Sequence, residues 1–280
     1  MIISKNEMDA MHSIQIDIFK SVIGVCEALG LRYFLVHGSL LGAVRTGYFI
    51  PLDDDIDIAM PRADYERLIT EGPHIINNRY FIQSNKTDKN YPLEFAKVRD
   101  SETTYIAGPC RKIEMHHGVF IDVFPIDFVE SNIFLRKVLT LTKKVLNVRI
   151  SCALYSEKET PKRKVLHALS KVLIPSWTRA VELNEKMNKR LNEGEYVKLT
   201  GGKPAEESIP AEWFLASSCA EFEEIPCAIP AKWEEYLSQI YGDYTKRTLL
   251  ENKEHDENGV EINAQILDLT KSYKAYRGNF

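Results

Sequence analysis

Met8, Met11, Ile18, Val22, Cys26 and Leu29 recur with the period of one helix face. The capping box Ser4-x-x-Glu7 precedes them and Gly30 follows, so the pattern predicts a first helix between Ser4 and Gly30. A strand over Leu31–Val36 comes next, then a short apolar helix over Leu40–Val44 and a loop marked by Gly47 and Pro51. Ile56–Met60 reads as a strand stopped by Pro61, after which 61–68 restarts as a helix. Short strands are predicted at Tyr80–Gln83, Phe95–Arg99 and Thr103–Ile106, and a stronger one at 118–125, apolar throughout except for Asp122. Helical spacing returns in Phe134, Val138, Leu141 and Val145, and again in Val165, Leu169, Val172 and Leu173. Gly201-Gly202-Lys203-Pro204 reads as a loop tip. Pro230 is expected to open a helix carrying Trp233, Tyr236, Leu237, Ile240 and Tyr241, with Gly242 as its stop. Helices alternating with short strands predict an α+β fold, a short mixed sheet with flanking helices, rather than a long doubly wound sheet. Three segments follow: a core over 1–130, a helical segment over 131–190 and a C-terminal segment over 191–280 that completes the site. Parts of the last forty or so residues, which are polar, are expected to order only with ligand.

The chemistry concentrates in two places. Asp55 and Asp57 flank one isoleucine at the start of a β-branched run, and on a strand that spacing puts both carboxylates on one face. Two half-buried carboxylates side by side repel, and the usual compensation is a hard divalent cation. Asp122, inside Val-Phe-Ile-Asp-Val-Phe, is too costly to bury without a cation. If its strand lies beside Ile56–Met60, three carboxylates converge, with Asp122 as a third ligand or as the base for an attacking hydroxyl. A strand-end residue bonded to backbone or to an arginine is the alternative for Asp122, and an acidic turn capping a helix is the alternative for the pair. Upstream, Gly38-Ser39 joins a strand to a helix and offers free backbone N–H groups to a phosphate. A phosphate cradle and a metal pair in one β-turn-α-β unit imply phosphoryl or nucleotidyl transfer. Arg45 could reach phosphate or brace the aspartates. Lys97 and Arg99 could neutralise phosphate charge, an ordinary surface strand being as good a reading. His37 reads as a packed, hydrogen-bonded histidine, Asp53 and Asp54 as solvent-facing, and His116-His117 as too divergent to chelate together.

Charge and composition narrow the setting. The chain has 280 residues and a formal charge of −4, yet 131–190 carries 14 Lys/Arg against 4 Asp/Glu. A basic amphipathic block fits an anionic membrane surface or an acidic acceptor, or is simply a solvated face. Apolar stretches all fall short of the roughly 18 residues that span a bilayer. Met1–Met8 lacks a basic-then-apolar leader, and five cysteines without CxxC spacing suit a reduced compartment without structural zinc. A cytoplasmic protein, in peripheral contact with the inner membrane face through the basic block, is expected. Nucleic acid is not an expected partner, because the chain is acidic and the basic block lacks interleaved stacking residues.

The run from His37-Gly-Ser-Leu-Leu-Gly-Ala-Val-Arg to Asp53-Asp-Asp-Ile-Asp-Ile-Ala-Met60 resembles the signature of the LicD family. That family comprises phosphocholine transferases and relatives on the nucleotidyltransferase fold, distantly akin to fukutin and fukutin-related protein. Phe120-Ile-Asp-Val-Phe-Pro-Ile-Asp127 is similar to its third-carboxylate strand, and Phe222-Glu-Glu, Ile229-Pro, Tyr236-Leu and Tyr241-Gly-Asp-Tyr244, with His255 beyond, to its later motif. The resemblance spans about Leu31 to His255, broken by the basic block, and departs at Leu52, where the family often has an aromatic residue. It implies a nucleotidyltransferase-like core with a basic helical insertion. Gly38 and Ser39 become the phosphate loop, Asp55 and Asp57 the metal pair, and Asp122 the third carboxylate. Mg²⁺, or Mn²⁺ in its place, is the implied ion. A CDP-alcohol is the implied donor, choline its leading alcohol, with CMP released. A cell-surface glycan or lipid-linked glycan is the implied acceptor. A metal-dependent glycosyltransferase is the rival enzyme, since it too uses Asp-x-Asp on a nucleotide diphosphate.

Overall fold

The computed structural model describes residues 1–50, 53–154, 161–174, 176–202, 206, 208–246 and 260–277. Pro51, Leu52, Lys203, Pro204 and His255, named above, lie outside the described residues. In order, the elements up to the basic helices are β1 (Ile2–Ile3), α1 (Lys5–Leu29), β2 (Phe34–Leu35), α2 (His37–Arg45), β3 (Asp57–Pro61), α3 (Arg62–Glu71), β4 (Tyr80–Gln83), β5 (Ala96–Asp100), β6 (Thr104–Ala107) and β7 (Phe120–Phe128). Three helices follow, α4 (Ile133–Leu154), α5 (Pro161–Leu173) and α6 (Trp177–Asn188). The chain then gives β8 (Tyr196–Leu199), β9 (Ile209–Pro210), β10 (Ser217–Phe222), β11 (Ile225–Pro230), α7 (Trp233–Tyr241), β12 (Val260–Glu261) and β13 (Ala264–Asp268). The fold is α+β, as the alternation predicts. The capping box closes at both of its bonds and Gly30 takes the left-handed conformation that ends α1.

The central sheet runs β2-β3-β7-β5-β4, with β8 joined to β7 and β9 to β8. Within it β3 and β7 are parallel, while the other pairs are antiparallel. Its core of Leu35, Ile58, Met60, Val98, Ile121 and Val123 is sealed by Phe19, Val22 and Leu68 of α1 and α3. A second cluster gathers Met8, Met11, Tyr105, Val119 and Val260, and a third, Leu146, Ile150, Ile174, Ala180 and Val181, holds the basic helices together.

Several expected boundaries shift. The strand expected over Leu31–Val36 shortens to Phe34–Leu35, and the helix begins at His37, so Gly38 and Ser39 form its first turn rather than a preceding loop. β7 continues past Pro125 to Phe128. It pairs with β5 as far as Val123 and with β8 from Ile126, so the missing proline N–H falls where the strand changes partner. Pro230, expected to open a helix, instead ends β11, and α7 starts at Trp233. Within the C-terminal stretch expected to wait for ligand, β12 pairs with β1, β13 pairs with β6, and Tyr273 is buried.

Candidate active site

Register brings the acidic residues together. Asp57 of β3 stands opposite Asp122 of β7, and Asp122 stands opposite Lys97 of β5, so three side chains line up on one sheet face. Asp55 precedes β3 rather than lying in it, but its neighbour is already tied in, because the Asp122 N–H donates to the Ile56 carbonyl at 2.8 Å. Carboxylate oxygens of Asp55, Asp57 and Asp122 all lie within 4.8 Å of one another. Asp55 and Asp57 are half-buried and Asp122 is buried. Burial, with Asp57 and Asp122 beside it, holds the Asp55 carboxyl well above the usual carboxylate range. Burial also raises Asp122 to about 6, against the pull of Lys97. Three converging carboxylates that repel one another fit a hard divalent cation.

Each member is braced. The Asp57 N–H donates to Ser39 Oγ at 2.9 Å. His37, at the left-handed φ of 52°, sits 3.1 Å through Nδ1 from Asp57 Oδ2. Its Nε2 lies 2.5 Å from Glu206 Oε1, an ion-pair contact off the line of an ideal hydrogen bond. The Tyr236 hydroxyl donates to the same Glu206 oxygen at 2.5 Å. Burial alone would lower the His37 pKa, but the bonds to Asp57 and Glu206 carry it up to about 9. His37 is therefore the packed, hydrogen-bonded histidine its sequence context suggests, and what it holds is a candidate metal carboxylate. Glu206 and Tyr236 escaped the sequence reading of the site.

Lys97 is not a surface cation. It is buried, donates to Asp122 Oδ1 at 2.5 Å and sits 3.4 Å from the centre of the Phe120 ring. Arg99 is buried as well, donating to Gln83 Oε1 and, at 2.6 Å, to the Gly118 carbonyl. Burial lowers the pKa of both. Arg45 donates to the Thr245 carbonyl at 3.3 Å, across from the chain that follows α7.

The loop aspartates are not simply exposed. A Cβ at Gly38 would meet Asp53 Oδ2 at 2.2 Å, so glycine lets that carboxylate approach the first turn of α2. Asp54 accepts from the Tyr105 hydroxyl at 3.2 Å, while its carbonyl accepts from Gln15 at 2.8 Å. Both are half-buried. Asp127 is apart from the triad, gripped by Arg62 at 2.5 and 2.6 Å. His116 and His117 bond separately, to Ser101 and to the Ile113 carbonyl, and burial lowers them to about 2 and about 4. A cavity of about 560 Å³ is lined by Phe95, Lys143, Asn188, Lys198 and Gly201, among others, and by none of the three aspartates.

Residues 30–146 match the family described as LicD/FKTN/FKRP, nucleotidyltransferase domain. The chain is 28% identical over 232 residues, 79% of its length and 85% of the relative's, to the lipopolysaccharide cholinephosphotransferase LicD of Haemophilus influenzae. It is 37% identical over 89 residues to the human ribitol 5-phosphate transferase FKRP, a match covering 30% of this chain and 17% of that one, and the mouse protein matches equally. Over these residues the chain is similar to the LicD family. Among the described residues, no helix is long and apolar enough to cross a membrane.

Proposed function

We propose that this chain is a metal-dependent transferase that moves a phospho-alcohol, phosphocholine first among them, from a CDP-alcohol to a hydroxyl of a cell-surface glycan or its lipid-linked precursor. The observation that carries this reading is the meeting of Asp55, Asp57 and Asp122 within 4.8 Å, in a chain similar over most of its length to a cholinephosphotransferase. Asp55, Asp57 and Asp122 would hold Mg²⁺, or Mn²⁺ in its place. Such an ion supplies charge neutralisation of the donor diphosphate and polarisation of the attacked phosphorus. Ser39 holds the Asp57 backbone N–H and His37 fixes the Asp57 carboxylate in position. The first-turn N–H groups of α2 at Gly38 and Ser39 would face the donor's anionic oxygens. Asp122, whose pKa of about 6 lies close to neutral, takes the proton of the acceptor hydroxyl, and Lys97 keeps it oriented. Ribitol phosphate is the second candidate, because the match to FKRP, a ribitol 5-phosphate transferase by name, is the higher in identity. Glycerol or ethanolamine phosphate would use the same site. We place the reaction in the cytoplasm, at the inner face of the membrane.

The test is CMP release and transfer measured with CDP-choline, CDP-ribitol, CDP-glycerol, CDP-ethanolamine and sugar nucleotides, with and without Mg²⁺. Asp57→Asn should keep the fold and lose at least about a hundredfold in rate. If Asp122 is the base, Asp122→Asn should keep donor binding and lose turnover, whereas collapse of donor binding as in Asp57→Asn would make Asp122 chiefly a metal ligand with the base elsewhere. Full turnover by Asp57→Asn, or consumption of sugar nucleotides alone, would overturn the assignment in favour of another site or a glycosyltransferase.

A further inference from the structure

α4 has two apolar faces. Leu146 and Ile150 turn inward and pack with Ile174, Ala180 and Val181. Phe134, Val138, Leu141 and Val145 turn outward, spaced four, three and four residues apart along one stripe. In α5 the same spacing recurs in Val165, Leu169 and Val172. These seven outward side chains are between 39% and 81% exposed. The sequence shows how the stripe is built. Lys-Val-Leu occurs at 137–139 and 144–146 in α4, and again at 164–166 and 171–173 in α5, each time seven residues apart. Every such valine is exposed, and beside each stands an exposed lysine: Lys137, Lys144, Lys164 or Lys171. Neither helix contains an acidic residue.

We propose that α4 and α5 form a docking face for an anionic lipid bilayer, their valine, leucine and phenylalanine side chains entering the headgroup boundary between rows of lysine. Charge and exposure together select this occupant. A soluble polyanion would pair the lysines but leave the apolar stripe in water. A second copy of the chain would cover the stripe but bring like-charged lysine rows against each other. An anionic bilayer satisfies both, because lysine stems lie along the apolar surface while their ammonium groups reach lipid phosphates. The face is independent of the reaction assigned to the aspartates.

The experiment is cosedimentation of the full chain with phosphatidylcholine vesicles that do or do not contain about one third phosphatidylglycerol, at low salt and at about 0.5 M salt. Two variants accompany it, Phe134→Ser/Leu141→Ser/Val172→Ser and Lys137→Glu/Lys144→Glu/Lys164→Glu/Lys171→Glu. Circular dichroism and thermal melting check folding, and light scattering follows the oligomeric state. Binding to the anionic vesicles is expected, at least tenfold weaker without phosphatidylglycerol or at high salt, and at least tenfold weaker in either variant with the melting curve unchanged. Absence of wild-type binding would overturn the proposal. So would full binding by the apolar variant, which would reduce the contact to charge alone. A wild-type dimer that the apolar variant dissociates, without vesicle binding, would assign the stripe to a second copy.

Discussion

Three carboxylates in one place need opposite charge, and among the described residues Lys97 on Asp122 and His37 on Asp57 bring it into direct contact. The lysine belongs to a neighbouring strand and is buried against Phe120, so deleting it leaves a buried charge uncompensated. Lys97→Met is expected to cost about 3 kcal/mol in the presence of a chelator, of the order seen when one partner of a buried pair is removed. Mg²⁺ should restore more of the melting temperature in that variant than in the wild type. Equal stability of the two proteins in chelator would show that Lys97 does not balance the triad. His37 makes a pH prediction. Its pKa is raised to about 9 from an unfolded value near 6.5, so the charged form favours folding. That contribution is complete below about pH 6.5 and is lost as pH climbs toward 9. Denaturant unfolding in chelator should therefore show stability falling across this window, with a shallower fall in His37→Gln. An identical slope in the variant would remove His37 from the account. At this scale the aspartates were legible because a polar residue inside an apolar run is conspicuous. Glu206 was not, since it lies in a polar stretch of sequence and its contact with His37 is tertiary.

Among the elements, those with strong periodicity and clear punctuation read well. α1 is framed by its capping box and Gly30, and β4 matches its expected span. The β10–β11 hairpin was missed because its two turn residues are Glu223 and Glu224, at φ 51° and 61°, where Asn-Gly is the usual signal. The hairpin's reason is a docking contact: the Glu223 N–H donates to the Gly47 carbonyl at 2.7 Å, and Glu223 Oε1 accepts from the Phe49 N–H at 3.0 Å. This clamps the loop that leads to the aspartates. Gly42 of α2 belongs to the same joint, because a Cβ there would stand 2.3 Å from the Tyr48 carbonyl oxygen. The obstacle is backbone, so Gly42→Ala is expected to destabilise by about 1–3 kcal/mol. Gly24, on the exposed side of α1, meets nothing within 4 Å, and Gly24→Ala should stabilise by about 0.5–1 kcal/mol through helix propensity. Urea titration of the pair reads both signs at once. A neutral Gly42→Ala would mean that the loop yields without cost.

At the scale of the molecule, the basic helices and the central sheet keep separate apolar clusters. What crosses between them is largely polar. Asn85 donates to Glu185 at 2.7 Å, Asn188 to Glu94 at 3.1 Å, and Lys198 to Asn188 at 2.8 Å, while Arg190 pairs with Glu130. The cavity of about 560 Å³ lies along this seam, between α4, the approach to β5 and the end of β8. Burial and the nearby Lys198 bring Lys143, on the cavity wall, down to about 7, so the seam also carries a cation close to losing its charge. A small cluster behind a polar, hollow seam has less apolar burial to lose on opening than the sheet core, and regions of that kind open locally at lower free energy. Native-state hydrogen exchange is expected to show amides of α4 and α6 exchanging through a lower-energy opening than those of β3 and β7. Because the crossing contacts include the ion pairs Arg190–Glu130, Lys86–Glu185 and Lys189–Glu66, the gap should widen with salt and narrow at low ionic strength. Protection of equal free energy in both regions, unmoved by salt, would show that helices and sheet unfold as one unit, and the seam would then be a wall of the core rather than a joint.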